Sequence, residues 1–193
     1  MDPLERAVKL KQEADQVLEL IKLREILQPY GELFATGSYF LDVMAYPDID
    51  FYIPKLNLEQ LFAIGARIAS CNLVIQIVYE PTDNPILLPE GLYLKSRVRY
   101  GDWGRPWKID LWSLAEAVIQ DKMNDMQRFF DRMTPEIRQQ IIRYKLSILT
   151  PQLRTPMYSG YYIYKAFIDE GLTDFNQVTD YLYSCGIRVD RSH

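Results

Sequence analysis

The stretch Thr36-Gly37-Ser38-Tyr39-Phe40-Leu41-Asp42-Val43-Met44-Ala45-Tyr46-Pro47-Asp48-Ile49-Asp50-Phe51-Tyr52-Ile53 decides how the rest of the chain is read. It begins with a Gly-Ser turn and ends in a run that alternates polar and apolar, the signature of a strand with one buried face. Ile49, Phe51 and Ile53 then share one face, and Asp48, Asp50 and Tyr52 the other. Two carboxylates so placed are ~7 Å apart along the strand. Like charges that close raise each other's pKa unless something compensates. A hard divalent cation is the common compensation, because it takes oxygen from one or two carboxylates and from substrate phosphates. An acidic pair on a strand is also what an ordinary solvated face looks like, so it needs company.

Two later segments supply it. Residues 92–100 and 107–112 read as strands, and Gly101-Asp102-Trp103-Gly104-Arg105-Pro106 between them predicts a hairpin. In the second strand Trp107, Ile109 and Leu111 oppose Lys108 and Asp110; in the first, Leu92, Leu94 and Val98 oppose Lys95, Arg97 and Arg99. If each strand buries its apolar face, the polar faces lie together. Three acids ringed by Lys and Arg would suit metal-bound polyphosphate.

Working outward, Asp2-Pro3 opens a helix whose apolar spacing runs to residue 28. A strand is expected at 32–36, a short helix at 39–44, a helix at 57–70 capped by Asn57, a buried strand at 73–78 and a loop at 81–90. From Ser113 the period changes, and helices are expected at 113–133, 134–149, 159–170 and 173–184. The fold class is α+β, a mixed sheet with flanking helices over residues 1–112 followed by a helical region over 113–193. Asp42 reads as a turn residue. The tail aromatics Tyr158, Tyr161, Tyr162, Tyr164, Phe167, Tyr181 and Tyr183 read as helical core or as a surface for an aromatic ring.

Composition excludes several chemistries. The 193 residues carry 26 Asp+Glu, 22 Lys+Arg, one His and two Cys, with 48% apolar residues, the balance of a globular chain. The one histidine is His193, so Ser-His-Asp chemistry and a His-ligated zinc lack their residues. Cys71 and Cys185 form no CxxC and read as buried thiols of a reduced protein, with one long-range disulfide as the alternative. No G-x-x-x-x-G-K-[ST] occurs, which excludes a P-loop. A net charge of -4 and a pI near 5.1 predict no nucleic-acid partner. Without a membrane-length apolar run or a secretory leader pattern at the N-terminus, the expected address is the cytoplasm, with no membrane partner.

Gly37-Ser38, nine residues, Asp48-Ile49-Asp50, and a later strand Asp110 together resemble the nucleotidyltransferase superfamily, the DNA polymerase β-like group. The likeness covers residues 30–112. Gly37-Ser38-Tyr39-Phe40-Leu41-Asp42 is also similar to the turn of small antibiotic nucleotidyltransferases, including lincosamide and aminoglycoside enzymes. The resemblance implies that Gly37 and Ser38 contact nucleotide phosphates, and that Asp48, Asp50 and Asp110 hold two Mg²⁺, or Mn²⁺ in their place. Relatives carry a basic residue soon after the turn or just before the acidic pair; this chain has Tyr39-Phe40-Leu41-Asp42 and Ala45-Tyr46-Pro47 there. Triphosphate contacts therefore fall to Lys95, Arg97, Arg99 or Lys108.

The implied function is transfer of a nucleoside monophosphate, AMP from ATP, to a hydroxyl of a small-molecule acceptor with release of pyrophosphate. Asp110 is the alternative proton acceptor if no metal-bound route serves. Other readings are a non-catalytic nucleotide-binding or protein-interaction module of the same fold, or an interaction protein whose acidic strand is merely solvated. A homodimer is compatible with either.

Overall fold

The computed structural model describes residues 1–81 and 91–189; the loop expected at 81–90, apart from Pro81, and His193 lie outside the described residues. The chain opens with α1, Pro3–Leu20, started by a reciprocal cap. The Asp2 carboxylate accepts from Leu4 N and Glu5 N, and the Glu5 carboxylate accepts from Asp2 N. The helix expected to run unbroken to residue 28 stops at Ile21, because Lys22 adopts a left-handed φ of 55°. A short α2, Leu23–Leu27, and a tight turn at Gln28–Tyr30 follow. Ile21, Leu23, Ile26 and Leu27 are buried on both sides of the break, so apolar spacing continues through it and gives no sign of it.

Five strands form one mixed sheet in the order β1-β2-β5-β4-β3. They are β1 Phe34–Thr36, β2 Asp48–Pro54, β3 Val74–Pro81, β4 Leu92–Val98 and β5 Trp107–Leu114. β2 and β5 run parallel, and the other pairings are antiparallel, including the hairpin of β4 with β5. Between β1 and β2 lies a one-turn helix α3, Gly37–Phe40. α4, Leu58–Ala69, is capped by Asn57 and leads into β3. Ile49, Phe51, Ile53, Leu94, Val98, Trp107, Ile109 and Leu111 form one apolar face and pack against α1, α2 and α4.

The helical region begins later than the residue 113 expected. Ser113 is fully buried in β5, where its hydroxyl accepts from Leu56 N at 2.7 Å, so the strand continues to Leu114. α5, Glu116–Asp131, and α6, Pro135–Ser147, follow, the latter capped by Thr134. α7, Ser159–Tyr164, runs directly into a wider π-type turn over Lys165–Asp169, and α8 covers Phe175–Ser184. A second core, with Phe129, Ile141, Tyr164 and Leu182 at its centre, also takes in Ala7, Leu41 and Val43 from the first half of the chain. Cys71 and Cys185 are free and only half-buried, less covered than expected. Among the described residues no helix is long and apolar enough to cross a membrane.

Candidate active site

The face of the sheet opposite the α1, α2 and α4 layer carries polar residues in rows set by strand register. Parallel pairing places Asp48 beside Lys108 and Asp50 beside Asp110, while the β4 hairpin places Arg97 beside Lys108 and Lys95 beside Asp110. Adjacent strands lie about 4.8 Å apart, so the three acids form one cluster across two strands. One step further, Tyr52, Trp112 and Tyr93 make an aromatic row, with Tyr93 and Trp112 stacked at 4.1 Å. These side chains, together with Gly37 and Ser38, line a single cleft of about 720 Å³ between the sheet and the helical region.

The acids are not symmetrical. Lys108 Nζ lies 2.6 Å from Asp110 Oδ2 and 3.2 Å from Asp48 Oδ1. The Tyr93 hydroxyl donates to the other oxygen of Asp110 at 2.8 Å. The Asp48 contact lacks hydrogen-bond geometry, which leaves its buried Oδ1 without a donor. Among the described residues no ion pair reaches Asp50. Burial pushes the Asp50 carboxyl well above the usual carboxylate range, and the neighbouring Asp48 and Asp110 push it further. Asp110 is raised by burial too, against the opposing pull of Lys108. Burial alone would lower the Lys108 ammonium, but Asp48, Asp110 and Asp50 outweigh it and raise its pKa.

The Gly-Ser turn closes over this cluster. Gly37 has a φ of 60°, and a Cβ there would lie 3.2 Å from Asp50 Oδ2, so the turn needs glycine for both conformation and space. The run after the turn lacks a basic residue for a local reason. Tyr39 points away from the cleft into the α1 layer, where its hydroxyl donates to Asp15 at 2.6 Å and Lys11 Nζ sits 3.3 Å from its ring centroid. Asp42 occupies a left-handed turn position at φ 55° and accepts from the Arg138 guanidinium at 2.7 Å, so it clasps α6 and does not enter the cleft.

Lys95, Arg97 and Lys108 line the cleft as their strand parity requires, whereas Arg99 lies beyond the end of β4, exposed, and does not line it. Four further cations reach the cleft that spacing in the first half could not indicate: Arg105 from the hairpin tip, and Lys122, Lys145 and Arg154 from the helical region. Lys145 is 2% exposed and donates to Val43 O at 3.0 Å. Burial lowers its pKa to about 8 despite the attraction of Asp48 and Asp50. Its signal in sequence is a lysine at the position of α6 that continues the buried series Ile141, Ile142 and Ile148. Of the tail aromatics, Tyr158, Tyr161 and Tyr164 line the cleft, while Phe167 belongs to the helical core.

A divalent cation fits this donor set in chemistry. The ligands would be hard carboxylate oxygens, one of them buried without a donor and one carboxyl without an ion pair. Among the described residues, no three His, Cys, Asp or Glu side chains already surround one point as a cation cage. The Lys108 ammonium stands between two of the acids.

No family model matches the chain, and no curated protein is similar to it at a significant level. Several solved structures are similar to it. Among them are Cid1 with the UTP analogue UMPNPP (10% identity, TM-score 0.48, 79% of this chain and 46% of that one) and Cid1 studied for its RNA terminal uridylyl transferase activity (15%, 0.49, 79% and 45%). A third is a cytoplasmic RNA terminal U-transferase (12%, 0.50, 82% and 51%). The chain thus spans about half the length of the structures it matches. The likeness supports the broad fold and not the narrower antibiotic-enzyme subtype.

Against the expectation of a small-molecule acceptor and no nucleic acid, the third structure is that of an RNA terminal U-transferase. The physical fault lay in using net charge as a guide. Among the described residues seven cations line the cleft, Lys95, Arg97, Arg105, Lys108, Lys122, Lys145 and Arg154, against four acids, Asp48, Asp50, Glu80 and Asp110, although the chain as a whole is acidic. With Gly37 over Asp50 and a mixed five-stranded sheet carrying Asp48, Asp50 and Asp110, the chain has an α+β fold similar to that of the third structure, a nucleotidyltransferase.

Proposed function

We propose that the protein transfers a nucleoside monophosphate from a nucleoside triphosphate to a terminal hydroxyl of a single-stranded nucleic acid, releasing pyrophosphate. The observation that carries this reading is the in-register pairing of Asp50 with Asp110, with Asp48 two residues earlier and the Gly37-Ser38 turn against Asp50. The basic cleft lining supports a phosphate-rich acceptor. ATP is the donor implied by the sequence resemblance and UTP the one suggested by the structural likeness.

Asp48, Asp50 and Asp110 would hold magnesium or manganese, which when bound supplies charge neutralisation on the phosphates and a more acidic acceptor hydroxyl. Ser38, Lys95, Arg97 and Lys145 hold the triphosphate in line with the acceptor; positioning and fixed charge are what the protein contributes to phosphoryl chemistry. The acceptor oxygen forms a bond to the α-phosphorus, the bond from that phosphorus to the β-bridging oxygen breaks, and the pyrophosphate takes that electron pair. Where no metal-bound route serves, Asp110 would accept the hydroxyl proton through a lone pair not used by Tyr93 or Lys108.

The test is extension of a labelled single-stranded oligonucleotide with each nucleoside triphosphate and Mg²⁺. Asp50→Asn should lower transfer by at least about a hundredfold, the scale of losing one electrostatic element of a site. The same variant should melt a few degrees higher, because it removes a buried carboxylate that repels its neighbours; about 1 kcal/mol moves the Tm of a domain this size by roughly 2–4 °C. Undiminished transfer by Asp50→Asn would refute the assignment of the acids.

A further inference from the structure

We infer that Lys108 stands in for one of the two metal ions usual to this chemistry, so that the site takes a single divalent cation, on Asp48 and Asp50. The inference rests on the nucleotidyltransferase reading above and deepens it. The Lys108 ammonium is 2.6 Å from Asp110 Oδ2 and 3.2 Å from Asp48 Oδ1, with its side chain 14% exposed. It occupies the space between two acids on neighbouring strands. Tyr93 takes the remaining oxygen of Asp110, so both oxygens of that carboxylate are engaged by the chain itself.

Register makes this arrangement hard to undo. Lys108 pairs across β5 with Asp48 on one side and Arg97 on the other, two residues from Asp110 on the same face. Moving its backbone away from the acids would require β5 to slip against both neighbours, and the apolar face of β5 resists any slip. The unfilled part of the cluster lies elsewhere, at Asp50, which has no ion pair among the described residues.

Charge points the same way. Three carboxylates and one ammonium leave the cluster two charges negative, and one divalent ion balances that. The charge that a triphosphate needs beyond it is already present in Lys95, Arg97, Lys145 and Arg154 around the cleft.

Counting bound Mn²⁺ by electron paramagnetic resonance tests this, with protein in excess over a non-hydrolysable nucleoside triphosphate analogue so that every nucleotide is bound. The wild type should bind one Mn²⁺ per chain–nucleotide complex. Lys108→Met should bind two, and Lys108→Arg, which keeps the charge, should stay at one. Lys108→Gln serves as a second neutral variant if Lys108→Met does not fold. Two ions in the wild type overturn the inference whatever the variants do, and so does a count of one in both neutral variants. Those results leave the nucleotidyltransferase reading intact. No bound Mn²⁺ or nucleotide in the wild type would bring down that reading and this inference together.

Discussion

Lys145 places a charge where α6 would ordinarily carry an apolar residue. Its ammonium has one backbone acceptor, Val43 O, and no carboxylate at ion-pair distance among the described residues. Burial accordingly lowers its pKa to about 8 from the ordinary 10.5. Below about pH 8 the lysine is charged in both folded and unfolded chains, and the folded state bears the full desolvation cost. Between about 8 and 10.5 the unfolded chain holds a proton that the folded chain has released, so this group makes the protein more stable as pH rises. The span corresponds to about 3 kcal/mol at most. Urea unfolding of the wild type and Lys145→Met at pH 7.5 and pH 10 should show the wild type gaining relative to the variant at the higher pH. A difference that does not change with pH would mean the ammonium is solvated. Such a residue survives in a fold when function needs it, which suits the role proposed for Lys145 as a cation toward bound phosphate.

At the scale of elements, the Gly37-Ser38 turn and β2 act as one device. β1 pairs with β2 so that Thr36 lies beside Asp50, and the turn that follows folds back over that carboxylate. Gly37→Ala would force a side chain into a left-handed conformation and bring its Cβ to 3.2 Å from Asp50 Oδ2. The expected cost is about 1–2 kcal/mol in stability, together with at least about a tenfold loss in nucleotide affinity as Asp50 is displaced. Denaturant unfolding and nucleotide titration read the two effects separately. Affinity unchanged in a folded variant would show that the turn does not meet the nucleotide. The elements also mark where sequence patterns mislead. The break at Lys22 keeps its neighbours buried, and Ser113 continues β5 because its hydroxyl has a backbone donor in Leu56.

Over the whole molecule, the two halves share their interior. Leu41 and Val43 belong to the stretch around the Gly-Ser turn, yet they are 2% and 0% exposed within the helical core, which Ala7 of α1 also enters. Arg138 from α6 binds both the backbone and the carboxylate of Asp42, and Lys145 binds Val43 O. A fragment of residues 1–112 would expose this surface and lose those clasps. It should show no cooperative thermal transition by circular dichroism and should be cut rapidly by protease near residues 41–46, whereas the full chain should melt as one unit. A fragment that melts cooperatively would mean that the sheet half is self-sufficient. The helical region also supplies Lys145, Arg154 and the aromatic wall of Tyr158, Tyr161 and Tyr164, so the cleft has one side from each half.

The alternation in β2, β4 and β5 determined by itself which side chains share a face, because side-chain direction in a strand depends only on local parity. That was enough to group Asp48, Asp50, Asp110, Lys95, Arg97 and Lys108, and to separate them from the apolar face. It could not reveal that Arg99 falls past the last paired residue of β4, since strand ends depend on the partner strand. Nor could it reveal that Lys108 would reach both Asp48 and Asp110, which requires the parallel register of β2 and β5 across 60 residues of chain. Lys145 and Arg154 come to the cleft only because two cores pack against each other, and that packing is decided by contacts between residues far apart in the chain. The same distinction explains the charge. The sum over the chain is a property of the sequence, whereas the basic cleft within an acidic protein exists only once the fold has gathered those side chains on one side.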